Sequence, residues 1–511
     1  MSLLALSPFL HGCAQVPTRP PGLATSHALS NPSDTTWGRR FARKDDGSQT
    51  LSGFFVLQAG VDGLAARIQL IRGAERTLDL QYFIFRADAT GSLIRQELRN
   101  AADRGVRVRV LVDDGDTMAG DEKILELDGH HDMQVRVFNP FSYRGHNRIL
   151  RNLDFILHKQ RLDYRMHNKV LVADNAVALV GGRNIGNQYF QVDPASQFAD
   201  VDLFTVGADV QALSGSFDEF WNSDLVVPAA QLTRRGKSGT DTTTPAPLAR
   251  DYVARIESGQ PLSSILSESA PLTWAGGQVL YDSPQKHYVE RRRSRGRLMS
   301  NAVEQEIERS TSDVVIVSPY FVPTDHELEL LQGARSRRVR VRVLTNSLET
   351  NPQLAAHSGY TKVRVPLLKS GVSIYEIRAK LDSVAGSGES RRIASYGTYA
   401  LHGKMYVFDG GRVFLGSWNY DQRSLRINTE IGVLVHSPPV AEEVLHRFDQ
   451  MVSPQEAYHV VLDPTDPHTS RLLWKTELDQ KQQVLKAEPS RGWWQRLKAW
   501  MLAWLPIDAE L

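Results

Sequence analysis

The chain has 511 residues, which is enough for two or more domains with a substantial buried core. Its 60 Lys and Arg residues nearly balance 58 Asp and Glu residues, so the net charge does not favour a nucleic-acid-binding protein, and any anion site must be local. The single cysteine, Cys13, excludes an intrachain disulfide and a cysteine-based metal cluster.

Residues 1–35 are predicted to be a lipoprotein signal and a linker. An apolar stretch from Leu3 to Leu10 leads into Cys13, and polar, Pro-rich sequence follows. This arrangement resembles a bacterial lipoprotein signal in which Cys13 would carry the lipid. The stretch is short, lacks a basic beginning and has His11 where a small residue is usual, so an apolar leader with a free thiol stays open. The sequence has no run of about 18 uncharged apolar residues, so no membrane-spanning helix is predicted.

Residues 50–228 are predicted to form a first α/β half. Its elements are a helix from Val61 to Arg72, a strand from Thr77 to Phe85, a helix from about Thr90 to Arg104, and strands from Val106 to Val112 and from Gln134 to Phe138. A strand, a helix and a strand with short connections are typical of a parallel βαβ unit.

The same order returns in residues 266–460. The matching elements are a strand from Asp313 to Phe321, a helix from Glu327 to Arg335, and strands from Val339 to Thr345 and from Val372 to Ile377. The corresponding leucines, Leu111 and Leu344, are 233 positions apart. The predicted fold class is therefore α/β, with two duplicated halves that each contain a mixed β-sheet flanked by helices and that pack with pseudo-two-fold symmetry.

Two further segments complete the predicted organisation. Residues 229–265 are predicted to be a linker, because 234–247 is rich in Gly, Ser, Thr and Pro. Residues 461–511 form a tail that is rich in tryptophan and cations between Trp493 and Leu505. This pattern favours a helix at a membrane interface. Packing of the tail on the protein's own core is the alternative.

One short pattern occurs twice. The first copy contains His167, Lys169, Asp174, Gly181-Gly182-Arg183 and Asn184, and the second contains His402, Lys404, Asp409, Gly416-Ser417-Trp418 and Asn419. In both copies Lys follows His by two positions, Asp follows Lys by five, and Asn follows Asp by ten. Each copy has two apolar runs around a turn signal, which predicts a β-hairpin.

The repeated residue types suit a phosphodiester substrate. Because side chains alternate along a strand, each His lies beside its Lys on one face, and the returning strand brings the Asn towards them. Lys and Asn can donate hydrogen bonds to phosphoryl oxygens, while one His attacks phosphorus and the other protonates the leaving oxygen. Asp174 and Asp409 fall at the turns and are interpreted as structural. This chemistry requires no metal or cofactor.

The pattern resembles the HKD signature of the phospholipase D superfamily. The surrounding sequence is similar to bacterial cardiolipin synthases of the C type in four places: Arg165-Met-His-Asn-Lys169, Gly181-Gly-Arg-Asn-Ile-Gly186, His357-Ser-Gly-Tyr360, and Asp421-Gln-Arg-Ser424 through Asn428-Thr-Glu430. The resemblance implies transfer of a phosphatidyl group from phosphatidylglycerol or phosphatidylethanolamine to phosphatidylglycerol. The possible lipid anchor at Cys13 and the Trp-rich tail would place such an enzyme at a bacterial cell membrane, as a peripheral or lipid-anchored protein, and the near-neutral charge predicts no nucleic-acid partner.

The resemblance also implies roles for individual residues. His167 is expected to be the nucleophile that forms a phosphohistidine, and His402 the general acid and later the base; the reverse assignment stays open. Glu430 is expected to be the acidic partner of His402. For His167 the candidates are Asp200 and Asp202, with Asp200 favoured. Gly182 stands where the second copy has Ser417, which removes one hydroxyl donor from the first copy.

Three alternatives use the same sequence features. A phospholipase D that hydrolyses lipids would have the same residues, and only its products would differ. A nuclease of this superfamily would need a basic, aromatic-lined groove, which the near-neutral charge disfavours. A silent lipid-binding scaffold is expected to have lost a His or Lys from one copy, and neither copy has lost one. The sequence does not indicate an accessory protein.

Overall fold

The computed structural model describes residues 19–41, 44–45, 50–115, 126–145, 147–193, 196–232, 248, 250–267, 271–286, 298–379, 398–465, 470–478 and 480–503. Cys13 and most of the Gly/Ser-rich linker lie outside the described residues. Among the residues that are described, no helix has the length and apolar character needed to cross a membrane.

The first half alternates strands and helices, as the sequence predicts. Its strands are β1 (Lys44–Asp45), β2 (Thr50–Leu57), β3 (Thr77–Tyr82), β4 (Arg107–Asp113), β5 (Met133–Phe138), β6 (Val170–Ala173), β7 (Val177–Gly181), β8 (Ser196–Ala199), β9 (Asp202–Gly207) and β10 (Val226–Pro228). Its helices are α1 (Thr36–Arg40), α2 (Gly60–Gly73), α3 (Ala89–Asp103), α4 (Arg148–Leu157), α5 (Lys159–Leu162), α6 (Ala208–Trp221) and α7 (Ala229–Leu232). Short 3-10 turns occur at Pro32–Asp34, Glu126–Gly129 and Asn187–Phe190.

The second half repeats this order after two connecting helices, α8 (Arg250–Glu257) and α9 (Leu262–Leu266). Its strands are β11 (Thr273–Tyr281), β12 (Asp313–Val317), β13 (Phe321–Val322), β14 (Arg340–Asn346), β15 (Ser373–Ile377), β16 (Thr398–Leu401), β17 (Met405–Phe408), β18 (Arg412–Gly416), β19 (Tyr420–Asp421), β20 (Ile431–His436), β21 (Ala457–Leu462), β22 (Leu472–Leu478) and β23 (Lys481–Leu485). Its helices are α10 (Ser300–Arg309), α11 (Asp325–Ser336), α12 (Leu354–Lys369), α13 (Gln422–Arg426), α14 (Pro438–Met451) and α15 (Trp493–Ala503).

Each half is built on a mixed sheet, which confirms the predicted fold class. The first sheet has the order β10-β5-β4-β3-β6-β7-β9-β2, and the second has β23-β22-β21-β15-β14-β12-β17-β18-β20. β3, β4 and β5 are parallel, as are β12, β14 and β15. β11 joins the halves, because Thr273–Ala275 pairs with β2 and Gly276–Tyr281 pairs with β20.

The two sheets pack against each other through alternate residues of their strands. Val172 and Val180 of the first hairpin face a core shared with Val407 and Val413 of the second hairpin. Leu171, the residue before Val172 on the same strand, faces the helices of its own half. Because side chains alternate along a strand, one hairpin can fill both cores. Burial of apolar side chains on both faces holds the two hairpins at the junction of the halves.

The linker and the tail contribute more to the fold than the sequence predicts. In α8, Arg255 forms an ion pair of 2.7 Å with Asp62 of the first half. The second sheet continues past the predicted boundary at 460, because β21, β22 and β23 form its edge. Within 1–35, Ala28 N donates to Asp218 Oδ2 at 2.8 Å, so the later part of this segment packs on the first half. Amino-acid composition predicted that these segments are connections. Composition does not show whether a segment packs on a domain or forms the edge of its sheet.

Candidate active site

A short parallel strand pair carries the second histidine into the first half. β8 pairs with β16, with Ala199 opposite Leu401, and His402 N donates to Ala199 O at 2.7 Å. The next residue of the first half is Asp200, whose Oδ2 lies 2.6 Å from His402 Nδ1. His402 therefore takes its carboxylate from the other half.

The first histidine is held by the symmetric arrangement. Met166 and Thr429 form a parallel bridge, and His167 N donates to Thr429 O at 2.9 Å. The next residue of the second half is Glu430, whose Oε1 and Oε2 lie 2.9 and 2.8 Å from His167 Nδ1. Each imidazole is thus bonded to a carboxylate that belongs to the opposite half.

The predicted partners within each half are therefore wrong. Glu430 was expected beside His402, and Asp200 or Asp202 beside His167, whereas the structure exchanges Glu430 and Asp200. Parity along a strand shows which residues share a face, but not which strand crosses the junction. Asp202 is fully buried elsewhere, where it accepts from Arg67 Nη1 at 2.7 Å and Arg183 Nη1 at 3.1 Å.

The two carboxylates have different surroundings. Glu430 accepts hydrogen bonds from Ser417 Oγ and from Ser424 Oγ, the latter at 2.8 Å. Asp200 lies against Gly182, and a Cβ at that glycine would come 2.1 Å from Asp200 Oδ1. Because Gly182 has no side chain, the Asp200 carboxylate fits beside it. The equivalent residue of the second copy, Ser417, instead donates a hydrogen bond to Glu430.

We expect Gly182→Ala to lower the transfer rate by roughly 10²-fold, because the new methyl group would displace the carboxylate that orients His402. Steady-state kinetics would measure the loss. Gly215→Ala in α6 is the matched control, since nothing lies within 4 Å of a Cβ there. A Gly182→Ala protein with the activity of the control would contradict the importance of this close approach.

Two buried lysines face the histidine pair. Lys169 Nζ donates to His167 O, and Lys404 Nζ donates to His402 O at 2.5 Å. Burial lowers the pKa of Lys404 to about 8. Burial also holds the pKa of Lys169 well below its usual value, and the positive charge of Lys404 lowers it further. Two like charges that are this desolvated favour the binding of an anionic ligand.

The pKa values of both imidazoles are shifted below their usual range. Burial, and then the charges of Lys169 and Lys404, hold the pKa of His167 well below its usual value. Burial, and then the charge of Lys404, lower the pKa of His402 to about 3. Since each Nδ1 faces a carboxylate, the proton is assigned to Nδ1, and each Nε2 keeps its lone pair. A bound phosphodiester would offset the lysine charges and raise the pKa of the histidine that must donate a proton.

The two asparagines are also brought to the ends of the hairpins. Asn184 is buried, its Oδ1 accepts from Ile84 N at 3.0 Å, and its Nδ2 has no partner within the described part of the chain. Asn419 is buried as well, and its N donates to Ser424 Oγ at 3.4 Å. The carboxamide of Asn184 therefore has a spare donor for a phosphoryl oxygen.

Asp174 and Asp409 lie at the turns of the two hairpins. Both have positive φ, 52° and 51°, in turns where the following residue also has positive φ. Asp174 Oδ1 accepts from Arg76 N and Thr77 N at 2.8 and 2.9 Å. Asp409 Oδ1 accepts from Ser312 N at 2.8 Å. Each carboxylate ties its turn to the start of the neighbouring strand.

Sequence reasoning missed the residues that hold the chain just before each histidine. Asp113, the last residue of β4, accepts from Met166 N at 2.9 Å, and Asn346, the last residue of β14, accepts from Leu401 N at 2.9 Å. The two are 233 positions apart, which is the offset that the leucines already show. A polar residue at the end of the equivalent strand in each half was the sequence pattern that could have identified them.

Aromatic rings line the histidine pair and were also missed. Phe198 of β8 stacks on His402 with ring centres 5.0 Å apart, and Tyr189 meets the same ring edge-on at 5.1 Å. Phe83 meets His167 edge-on at 5.0 Å. These rings limit the access of water to the imidazoles.

Three neighbouring residues in the described part of the chain lie close enough together to hold a metal ion: His130, His131 and Asp132. They precede β5, whereas the catalytic candidates lie where β3 and β4 end, at the opposite edge of the sheet. The absence of a metal from the chemistry therefore stays a prediction from the residue types.

The chain matches known proteins over both halves. A family model described as a cardiolipin synthase, phospholipase D-like domain matches residues 67–221 and 303–452. Cardiolipin synthase C of Escherichia coli (strain K12) is 34% identical over 463 residues, which cover 89% of this chain and 95% of that protein. Probable cardiolipin synthase YwiE of Bacillus subtilis (strain 168) is 24% identical over 80% of this chain and 67% of its own length. The crystal structure of phosphatidylserine synthase from Haemophilus influenzae Rd KW20 aligns over 80% of this chain and 87% of that chain, with a TM-score of 0.53 and 15% identity, which shows the shared fold.

Proposed function

Because the chain belongs to the cardiolipin synthase family of phospholipase D-like proteins, we propose that it transfers a phosphatidyl group to phosphatidylglycerol and makes cardiolipin. The observation that carries this proposal is the crossed pair of buried imidazoles, each bonded through Nδ1 to a carboxylate of the opposite half and each accompanied by a buried lysine. Its donor is phosphatidylglycerol or phosphatidylethanolamine. The protein acts at a bacterial cell membrane as a peripheral or Cys13-anchored enzyme.

The first step forms a phosphohistidine. Nε2 of His167 attacks phosphorus while the bond from phosphorus to the leaving alcohol breaks, and Nε2–H of His402 gives its proton to the leaving oxygen. Lys169, Lys404 and Asn184 donate to the phosphoryl oxygens, whose negative charge increases in the transition state. Glu430 stabilises the positive charge that develops on His167.

The second step reverses these roles. His402, now neutral, takes the proton from the hydroxyl of phosphatidylglycerol, whose oxygen attacks phosphorus, and the bond from phosphorus to His167 breaks. Water in place of that hydroxyl would give phosphatidic acid. The aromatic rings around the imidazoles and the local abundance of lipid hydroxyls at a membrane favour transfer.

Product analysis tests the proposal. Purified protein with phosphatidylglycerol vesicles, with and without phosphatidylethanolamine, is expected to yield cardiolipin that mass spectrometry detects. Cells that express the wild type should accumulate cardiolipin, whereas cells that express His167→Ala should not. Phosphatidic acid as the only product would overturn transfer in favour of hydrolysis.

A further inference from the structure

Helix α4 presents its apolar side to solvent. Its exposed residues, with exposed fractions of 44 to 77%, are Ile149, Leu150, Leu153, Ile156 and Leu157. These positions recur at three- and four-residue intervals and form one stripe along the helix. A helix of a soluble core buries such a stripe, so this helix has the opposite orientation.

The polar side of α4 faces the protein. Arg151 is buried, donates to Asp114 O and stacks over the ring of Phe141 at 3.7 Å. Asp154 is also buried and accepts from Tyr143 N at 2.9 Å. These bonds fix the helix with its apolar stripe outward.

The tail helix α15 has the same inverted orientation. Its exposed residues, with exposed fractions of 36 to 62%, are Trp493, Trp494, Leu497, Trp500 and Met501. Ala499 is buried, and the helix packs against α12. Gln495 Nε2 donates to Leu348 O at 2.7 Å, and Arg491 Nε donates to Glu349 O at 2.6 Å.

A buried ion cluster anchors the chain just before α15. Glu488 accepts from Arg364 Nη1 at 2.6 Å, and its Oε1 lies 2.9 Å from His357 Nε2. Both partners are buried residues of α12. Burial by itself would raise the pKa of Glu488. The Arg364 charge and the hydrogen bonds from His357 and Arg364 together lower this pKa to about 2, so the carboxylate is charged at neutral pH. These side chains therefore help to hold the tail to the second half.

The two helices occupy equivalent places in the two halves. Arg151 of α4 bonds to the loop directly after β4, and Gln495 of α15 bonds to the loop directly after β14. These strands end at Asp113 and Asn346, the residues that hold the chain before His167 and His402. Both helices thus stand on the edge of the sheets that carries the histidine pair.

We infer that α4 and α15 are a paired docking surface for an anionic phospholipid bilayer, an inference that rests on the proposed function. Beside these stripes, Lys159 is exposed just after α4, and 491–503 carries three exposed Arg or Lys residues and no carboxylate. Apolar stripes with cations beside them fit the boundary between acyl chains and anionic headgroups. A bilayer also supplies the phospholipid substrate of the proposed reaction.

Vesicle flotation of the full chain tests this surface. All proteins carry Cys13→Ser, so that no acyl chain at that position contributes to binding. One variant has Ile149→Gln with Ile156→Gln, another has Trp494→Gln with Trp500→Gln, and a control has Val253→Gln with Val484→Gln, two exposed valines outside both helices. We expect each helix variant to lower partition onto phosphatidylglycerol-containing vesicles about tenfold, the combination to abolish it, and the control to bind like the parent.

Further measurements separate the outcomes. Unchanged thermal unfolding of the helix variants would show that lost binding is not lost folding, and weaker binding to uncharged phosphatidylcholine vesicles would support the charge contribution. Unchanged partition of the combined variant onto vesicles would overturn the inference. Helix variants that lose self-association or a protein partner, but still bind vesicles, would also overturn it. A parent protein that floats with vesicles but makes no cardiolipin would instead overturn the proposed function and leave the docking surface standing.

Discussion

Replacing His167 with alanine is expected to lower phosphatidyl transfer by roughly 10⁴-fold and to remove the covalent phosphoenzyme, because no other described group is placed to attack phosphorus from that side. Burial holds the pKa of this imidazole below its usual value, and its Nδ1 is bonded to Glu430, so Nε2 is the nitrogen expected to attack. Quenched-flow trapping with radiolabelled lipid, followed by phosphohistidine mapping, measures both the rate and the intermediate.

The companion variant decides which histidine attacks. His402→Ala is expected to lose overall turnover but to keep a trapped phosphoenzyme when the donor has a good leaving group, since such a group needs no proton. His436→Ala, at an exposed position at the end of β20, is the matched control and should behave like the wild type. A phosphoenzyme in His167→Ala and none in His402→Ala would reverse the two assignments.

The sequence predicts the hairpins better than it predicts how they meet. The spacing from His to Lys and to the turn Asp determines which residues share a face, and the structure has both hairpins with Asp174 and Asp409 at their turns. The exchange of Asp200 and Glu430 could not be predicted, because it depends on two short cross-junction pairings, β8 with β16 and Met166 with Thr429. Neither pairing has a periodic signal in the sequence.

Helix orientation marks a second limit of sequence reasoning. Periodicity in 148–157 indicates a helix with one apolar side, and the usual inference would place that side in the core. Arg151 and Asp154 reverse this, because both side chains are buried and each is hydrogen-bonded to the first half. For the tail, the sequence left the choice between a membrane interface and the core open, and the structure places Ala499 inward with Trp494 and Trp500 outward.

Asp200→Asn is expected to lower kcat by roughly 10³-fold, because an amide cannot stabilise an imidazolium and can present its NH₂ group to Nδ1, which favours the wrong tautomer. The Asp200 carboxylate lies 2.6 Å from His402 Nδ1, and its charge raises the pKa of His402 against the larger effect of burial. Removing that charge therefore lowers the pKa of His402. This variant tests whether the crossed carboxylate acts on the proton-donating histidine.

The sign of the pH effect follows from the role of His402. In the proposed mechanism the first step needs His402 protonated, so activity is expected to fall as pH rises through the pKa of His402 in the substrate complex, and a lower pKa moves this fall to lower pH. The pH profile of kcat for Asp200→Asn should shift in that direction relative to the wild type. Asp202→Asn is the contrasting control, because Asp202 pairs with Arg67 and Arg183, so that its loss should lower thermal stability without moving the profile. An Asp200→Asn enzyme that is slower but has an unshifted profile would mean that the carboxylate only supports the fold around His402.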